Sequence, residues 1–325
     1  MALDIALLAV GMLLLIKGAD FFVGGSSDIA RALRVPPLII GLTLVSIGTS
    51  APEASVSIIG ALGGMADMSL GNVIGSNIFN TLLILGVGSV IVPLAVGKEV
   101  RKYDIPVLVG LCAVLILFSF VITPMKLDIF EAIALLCLFV GYIVFLILRT
   151  KKRSKIDPSA PENQCEGIAA ATYSIKHPLW LSILLAAVGL ACIIFGGDAV
   201  VDGASGIAKA LGMSEALVGL TIVAVGTSLP ELVTSVVASL KKENDLSLGN
   251  VIGSNIFNIV FILGLSGTIG TLTFDISILT DMLVMLGSAV LVLIVTRVSK
   301  EIPRWQGIVM VLMYAAYLAY IIIRN

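Results

Sequence analysis

Hydrophobic residues fill 58% of the 325 positions, charged residues 13%, and mean hydropathy is +1.12, which leaves too little polar surface for a soluble domain and indicates a polytopic membrane protein. A formal net charge of −1 supplies no basic field for nucleic acid. Four cysteines without pairing or metal-ligand spacing, and one histidine, exclude a histidine metal site and a histidine triad. Cys112, Cys137 and Cys192 read as packing residues in apolar runs, Cys165 lies in the central loop, and His177, beside Pro178, reads as a solvated loop residue.

A helix crossing about 30 Å of hydrocarbon needs about 20 apolar residues. The sequence predicts ten spans, over 3–19, 36–62, 69–92, 104–123, 128–148, 178–201, 214–240, 247–270, 280–297 and 304–323. The first carries Asp4, has no basic start and runs into further spans, so it reads as a membrane helix and not as a cleaved leader. Asp20 follows it, expected at a solvated helix end beside Lys17. The second span holds Gly41-Leu-Thr-Leu-Val-Ser-Ile-Gly-Thr-Ser-Ala-Pro-Glu53. Asp67 precedes the third, where an acid suits the helix N-terminal dipole. That span holds Gly71-Asn-Val-Ile-Gly-Ser-Asn-Ile-Phe-Asn80. After the fifth comes the one long polar connection, Arg149 to His177, with Arg149, Lys151, Lys152, Arg153 and Lys155 at its start and a Pro-, Ser- and Glu-containing stretch that reads as a flexible linker.

The second half of the chain repeats the first. Adding 178 to a residue number finds its twin: Asp20 and Asp198, Gly41 and Gly219, Glu53 and Glu231, Asp67 and Asp245, Asn80 and Asn258, without a gap over about 70 residues. Residues 1–148 and 178–325 are thus two repeats of five spans, joined by a linker at 149–177. An odd number of spans per repeat makes the second enter the membrane from the opposite side, so the expected fold is all-α, ten transmembrane helices in two inverted-topology repeats of five. The basic residues segregate to one side: Arg31, Arg34, Lys98, Arg101, Lys102, Lys176, Lys241, Lys242, Arg297, Lys300 and Arg304 join the linker, which places it in the cytoplasm and both termini outside.

A carboxylate in lipid costs roughly 2.5–3.5 kcal/mol on insertion scales. Glu53 and Glu231 each end a Gly-Thr-Ser-x-Pro-Glu segment, in which proline breaks the helix ladder and loosens the carbonyls of Gly48, Thr49, Gly226 and Thr227. Freed carbonyls, hydroxyls and a carboxylate form the oxygen-rich setting that hard cations prefer. Ser76 and Asn80, like Ser254 and Asn258, stand four residues apart and share a helix face that can complete the pocket. Gly71, Gly75, Gly249 and Gly253 have small-xxx-small spacing and read as packing positions, and Asn72 and Asn250 as interhelical hydrogen bonders.

At these two segments the chain resembles the cation/calcium exchanger superfamily, and among its branches the prokaryotic sodium/calcium exchanger group. The resemblance implies a secondary antiporter of the cell membrane that exchanges Ca²⁺ for Na⁺, with Glu53 and Glu231 as shared central ligands. It further implies contributions from Thr49, Ser50, Thr227, Ser228, Ser76, Ser254, Asn80 and Asn258, with the backbone of Ser46 and Ala224 flanking the site. Some relatives have Asp where this chain has Asn258, so the pocket here carries two carboxylates and a formal charge of −2. Inorganic cations and the lipid bilayer are the expected partners, without a cofactor or enzymatic activity. A proton- or potassium-coupled divalent cation antiporter is one alternative, and a cation channel, of a different class, the other.

Overall fold

The computed structural model describes residues 1–64, 66–156, 177–212 and 224–324. Cys165 and residues 214–223 of the 214–240 span fall outside them, and the side chains of Asp67, Lys151, Lys152, Arg153 and Lys155, with their expected roles, are likewise not described. The described chain is mainly helical: α1 Ala2–Ala32, α2 Pro37–Thr49, α3 Ala51–Leu62, α4 Met68–Ile91, α5 Val100–Ile122, α6 Ile129–Ile156, α7 Leu179–Ala210, α8 Ala224–Gly226, α9 Leu229–Leu240, α10 Asn244–Ile269, α11 Ile278–Ser299 and α12 Arg304–Arg324. Among the described residues eight helices are long and apolar enough to cross a membrane, and α2 with α3, bent by 50° at Ser50, makes a ninth.

Two helices sit at the centre. In α4 and α10, 72% and 89% of the most apolar window lies inside the protein, against 11–33% for the other long helices, whose outer faces are left to lipid. Four two-residue strands, β1 Leu94–Ala95, β2 Lys126–Leu127, β3 Leu272–Thr273 and β4 Glu301–Ile302, pair antiparallel as β1 with β4 and β2 with β3, each pair joining the two halves. Leu94 and Leu272 are twins under the 178-residue repeat, so the two ladders are counterparts.

Helices α1 and α7 pack along each other through glycines seven residues apart. A Cβ added at Gly11 would lie 2.8 Å from the Gly196 carbonyl oxygen, at Gly18 2.8 Å from that of Gly189, and at Gly25 2.6 Å from that of Ser182. The partner number falls as the α1 number rises, so the helices run antiparallel. Only hydrogen at these positions lets two backbones touch.

This stripe continues past residue 19 with Phe22, Val23, Gly25, Ser26, Ser27 and Asp28 all buried, which is why the first helix runs to Ala32 and not to the expected 19. Asp20 is accordingly no helix end. It is exposed in mid-helix, and its carboxylate pairs with Lys241 Nζ at 2.7 Å in place of Lys17. The sixth expected span likewise lengthens, from 178–201 to Leu179–Ala210.

Ion pairs tie the helix ends. Buried Asp28 accepts from Arg31 Nη1 at 3.1 Å and lies 3.0 Å from His177 Nδ1, while Arg31 Nη2 reaches Glu243 at 2.5 Å. His177, with a side chain 40% exposed and outside the helices, is a loop residue as expected, and its ring also meets α1 through buried Asp28. Asp104 at the start of α5 accepts two hydrogen bonds from Arg149, at 2.9 and 3.2 Å, and Asp281 at the start of α11 pairs with Arg324 at 2.9 Å. Cys112 is buried, Cys192 half-buried and Cys137 exposed, all as free thiols.

Candidate functional site

The backbone bends where the sequence places proline one residue before each glutamate. Pro52 and Pro230 stand in the first turn of α3 and α9, where a missing N–H leaves no gap. Ser50, at φ −82° and ψ 10°, and Ser228, at φ −92° and ψ 6°, precede these helices in non-helical geometry. The bend swings each serine away from its own helix and toward the other half of the chain.

Each serine meets the other half's acid. Ser228 Oγ donates to Glu53 Oε1 at 2.8 Å, and Ser50 Oγ donates to Glu231 Oε1 at 2.8 Å. Ser228 Oγ also lies 3.2 Å from Ser76 Oγ. Both glutamates are wholly buried, and the second oxygen of each, Oε2, has no hydrogen-bond partner among the described residues. Two further buried acceptors, Asn80 Oδ1 and Asn258 Oδ1, are also without a donor among them. Buried acceptors of this kind are ordinarily satisfied. Four of them on the site helices leave oxygens free for a cation.

The remaining expected residues occupy varied settings. Thr49 Oγ1 lies within donating reach of Val45 O at 3.1 Å and Asn250 Oδ1 at 3.0 Å, whereas its twin Thr227 has a buried hydroxyl with no partner among the described residues. Ser254 Oγ points at the Ser46 carbonyl, 3.5 Å away, and that carbonyl already accepts the Ser50 N–H at 3.0 Å. Ala224 opens the short helix α8; its side chain lies outside the described residues. Among the described residues no group of three or more His, Cys, Asp or Glu gathers that could hold a metal ion.

The glycines behave unequally. A Cβ at Gly249 would meet Leu38 O at 2.7 Å and one at Gly253 would meet Leu42 O at 2.8 Å, so α10 lies against α2 as small-xxx-small spacing predicts. Among the described residues nothing lies within 4 Å of a Cβ built on Gly71 or Gly75, so the same packing role is not seen there. Asn72 Nδ2 donates to Glu53 O at 3.1 Å and Ser57 Oγ at 2.9 Å, and Asn250 Nδ2 to Glu231 O at 3.4 Å and Ser235 Oγ at 2.9 Å. Both asparagines thus bond between helices, holding the backbone of the glutamate.

Sequence reasoning passed over Asn77 and Asn255, the residues between Ser76 or Ser254 and the next apolar pair. Asn77 Nδ2 donates to Asn255 O at 3.1 Å, Asn255 Nδ2 to Thr81 Oγ1 at 2.8 Å, and Asn258 Nδ2 to Asn77 Oδ1 at 3.1 Å. The letter-for-letter repeat of their segment was the signal. Both α4 and α10 also widen into a π turn at this level, over Phe79–Ile84 and Asn258–Ile262. Such turns interrupt the regular ladder and turn side chains inward, and they concentrate at functional sites.

The fold and this site define an integral membrane protein in which side chains of the two halves hydrogen-bond to two buried carboxylates. The chain matches the family model for sodium/calcium exchanger protein over residues 3–148 and 181–323, and it belongs to that family. It is 38% identical over 312 residues to a putative antiporter, CaxA, of Alkalimonas amylolytica, covering 95% of each chain. It is 31% identical over 337 residues to the sodium/calcium exchanger MaX1 of Methanosarcina acetivorans, covering 96% of each. Among solved structures, the sodium-calcium exchanger NCX_Mj soaked with Na⁺ and Ca²⁺ superposes with a TM-score of 0.81 at 31% identity, covering 98% of both chains.

Proposed function

We propose that this chain is a secondary active antiporter that exchanges Ca²⁺ for Na⁺ across the membrane by alternating access. The reciprocal hydrogen bonds from Ser50 and Ser228 to the opposite half's glutamate carry the reading, because they make one site out of two repeats. Its ligands are Glu53 and Glu231, with oxygens of Thr49, Ser50, Ser76, Asn80, Thr227, Ser228, Ser254 and Asn258 and the backbone of Ser46 and Ala224. The relatives named for sodium/calcium exchange support the choice of ions.

Two carboxylates are neutralised by one Ca²⁺, or by two Na⁺ with any further Na⁺ on neutral oxygens. Occupancy by one ion species excludes the other, and this exclusion couples the two fluxes. A loaded pocket crosses between facing states more readily than one with two uncompensated buried charges, so leak is suppressed. Complete burial of both glutamates fits an occluded carrier better than a continuously wet pore.

Ten spans in two inverted repeats, 1–148 and 178–325, with a cytoplasmic linker at 149–177 and termini outside, supply the machinery. The antiparallel run of the twin helices α1 and α7, and the counterpart ladders between halves, support that topology. The close α1–α7 pair is suited to move as one body. In proteoliposomes an outward Na⁺ gradient is expected to drive Ca²⁺ uptake, and Glu53→Gln or Glu231→Gln to abolish it. Uptake that persists in both variants overturns the site; uptake driven by a proton or K⁺ gradient without Na⁺ overturns the coupling ion.

A further inference from the structure

The two halves share their serine–glutamate and Asn72/Asn250 hydrogen bonds but differ around Asn77 and Asn255. Asn258 Nδ2 donates to Asn77 Oδ1 at 3.1 Å. The twin bond would run from Asn80 Nδ2 to Asn255 Oδ1, and both of those atoms are buried with no partner among the described residues. The acceptor is prepared: Asn255 Nδ2 is held by Thr81 Oγ1 at 2.8 Å, which orients the amide and leaves its Oδ1 free. The π turns differ in the same region, beginning at Phe79 in one half and at Asn258, one position later in the repeat, in the other.

A buried donor and a buried acceptor left open at twin positions are costly unless another conformation closes them. In an inverted-repeat carrier that other conformation is built in, since each half takes up the geometry its twin now has. We propose that Asn77 and Asn255 are positioning residues that hold the site amides in alternation: Asn258 on Asn77 in the state seen here, Asn80 on Asn255 in the opposite-facing state. One bond is exchanged for the other, so the donor count is the same on both sides and neither state gains from it. Each exchange also re-aims an Oδ1 acceptor, so a different amide oxygen is steered in each facing state. This inference rests on alternating access as proposed for this chain.

The test reads facing state without transport. Single cysteines on each face of a cysteine-free background, in ion-free proteoliposomes, report the inward and outward populations by alkylation rate. Asn77→Ala removes the bond now made and is expected to shift the population away from the present state by about fivefold, the worth of one net hydrogen bond. Asn255→Ala is expected to shift it about as far in the opposite direction, and the double variant to return near the parent ratio. Thr81→Val releases the Asn255 amide while keeping side-chain shape, and its twin position is Ile259, so an apolar residue is accommodated there. The Thr81 bond is made in the present state and has no twin at Ile259, so Thr81→Val is expected to shift the population away from the present state, as Asn77→Ala does, and covers the case in which that variant fails to fold. Shifts of the same sign for Asn77→Ala and Asn255→Ala, or no shift from Thr81→Val, overturn the proposal. Wild-type Na⁺-driven Ca²⁺ uptake in the same vesicles separates the two failures: its absence refutes the exchange function, while the opposite signs are read independently of it.

Discussion

Replacing Gly18 by alanine tests the contact that joins α1 to α7. The new Cβ would lie 2.8 Å from both the Gly189 carbonyl oxygen and Cys192 Cβ. Close C–H···O contacts run at about 3.3–3.6 Å, so the helices must separate by roughly half an ångström along a seam already packed at backbone contact. Overpacking of this kind costs about 1–3 kcal/mol. Alanine also favours a helix over glycine by about 1 kcal/mol, which masks part of the cost. Gly110→Ala in α5 supplies the reference, because nothing lies within 4 Å of a Cβ there among the described residues, and subtracting it removes the propensity gain.

Unfolding titrations in detergent, followed by the fluorescence of Trp180 and Trp305, give both stabilities. Gly18→Ala is expected to be less stable than Gly110→Ala by about 1–3 kcal/mol. Gly189→Ala, whose Cβ would meet Phe22 N at 2.5 Å and Gly18 O at 2.7 Å, is expected to match it. The double variant is expected to cost less than the sum, since the first separation makes room for the second methyl. Equal stability of Gly18→Ala and Gly110→Ala would refute the backbone-contact seam.

The geometry sets three further outcomes. Ser50→Ala and Ser228→Ala each delete a hydroxyl given to the opposite half's carboxylate, and each is expected to weaken apparent Ca²⁺ affinity about tenfold or more in uptake assays. An effect from only one of them contradicts a shared site. Arg149→Ala strands the fully buried Asp104 and is expected to destabilise by about 3–5 kcal/mol, read by the same unfolding titration. Pairing Arg149→Met with Asp104→Asn is expected to recover most of that loss, because no uncompensated buried charge then remains.

Much of the architecture was legible because lipid imposes it: apolar runs of the required length, punctuated by Gly and Pro, are hard to mistake. The glutamates were legible because a carboxylate in an apolar run is expensive. The lengths of α1 and α7 were not, since the glycine seam that buries Ser26, Ser27 and Asp28 is written in residues that look uniformly apolar or small until a partner helix is present. The repeat identified twins but not pairs. Ser50 stands three residues from Glu53 and reads as its neighbour, yet it bonds Glu231, because the break at Ser50 turns the side chain across the midline. Asn77 and Asn255 were overlooked for a related reason: an amide beside a candidate site serine announces itself only through the other half. The contact of His177 with α1 needed a buried Asp28 that no local pattern predicts.

The reciprocal serine–glutamate bonds make the proposed site an interface inside a single polypeptide. Neither half owns a complete site: each carboxylate borrows a hydroxyl, and each two-residue strand finds its ladder partner only across the boundary. On the proposed site assignment, cargo bridging Glu53 and Glu231 is also cement. Any ion that prefers the closed pocket over separated halves adds its binding free energy to the cohesion of the fold, growing with the logarithm of its concentration. Ion-free conditions are therefore where this carrier is most easily pulled apart, and its substrate is its own most direct stabiliser.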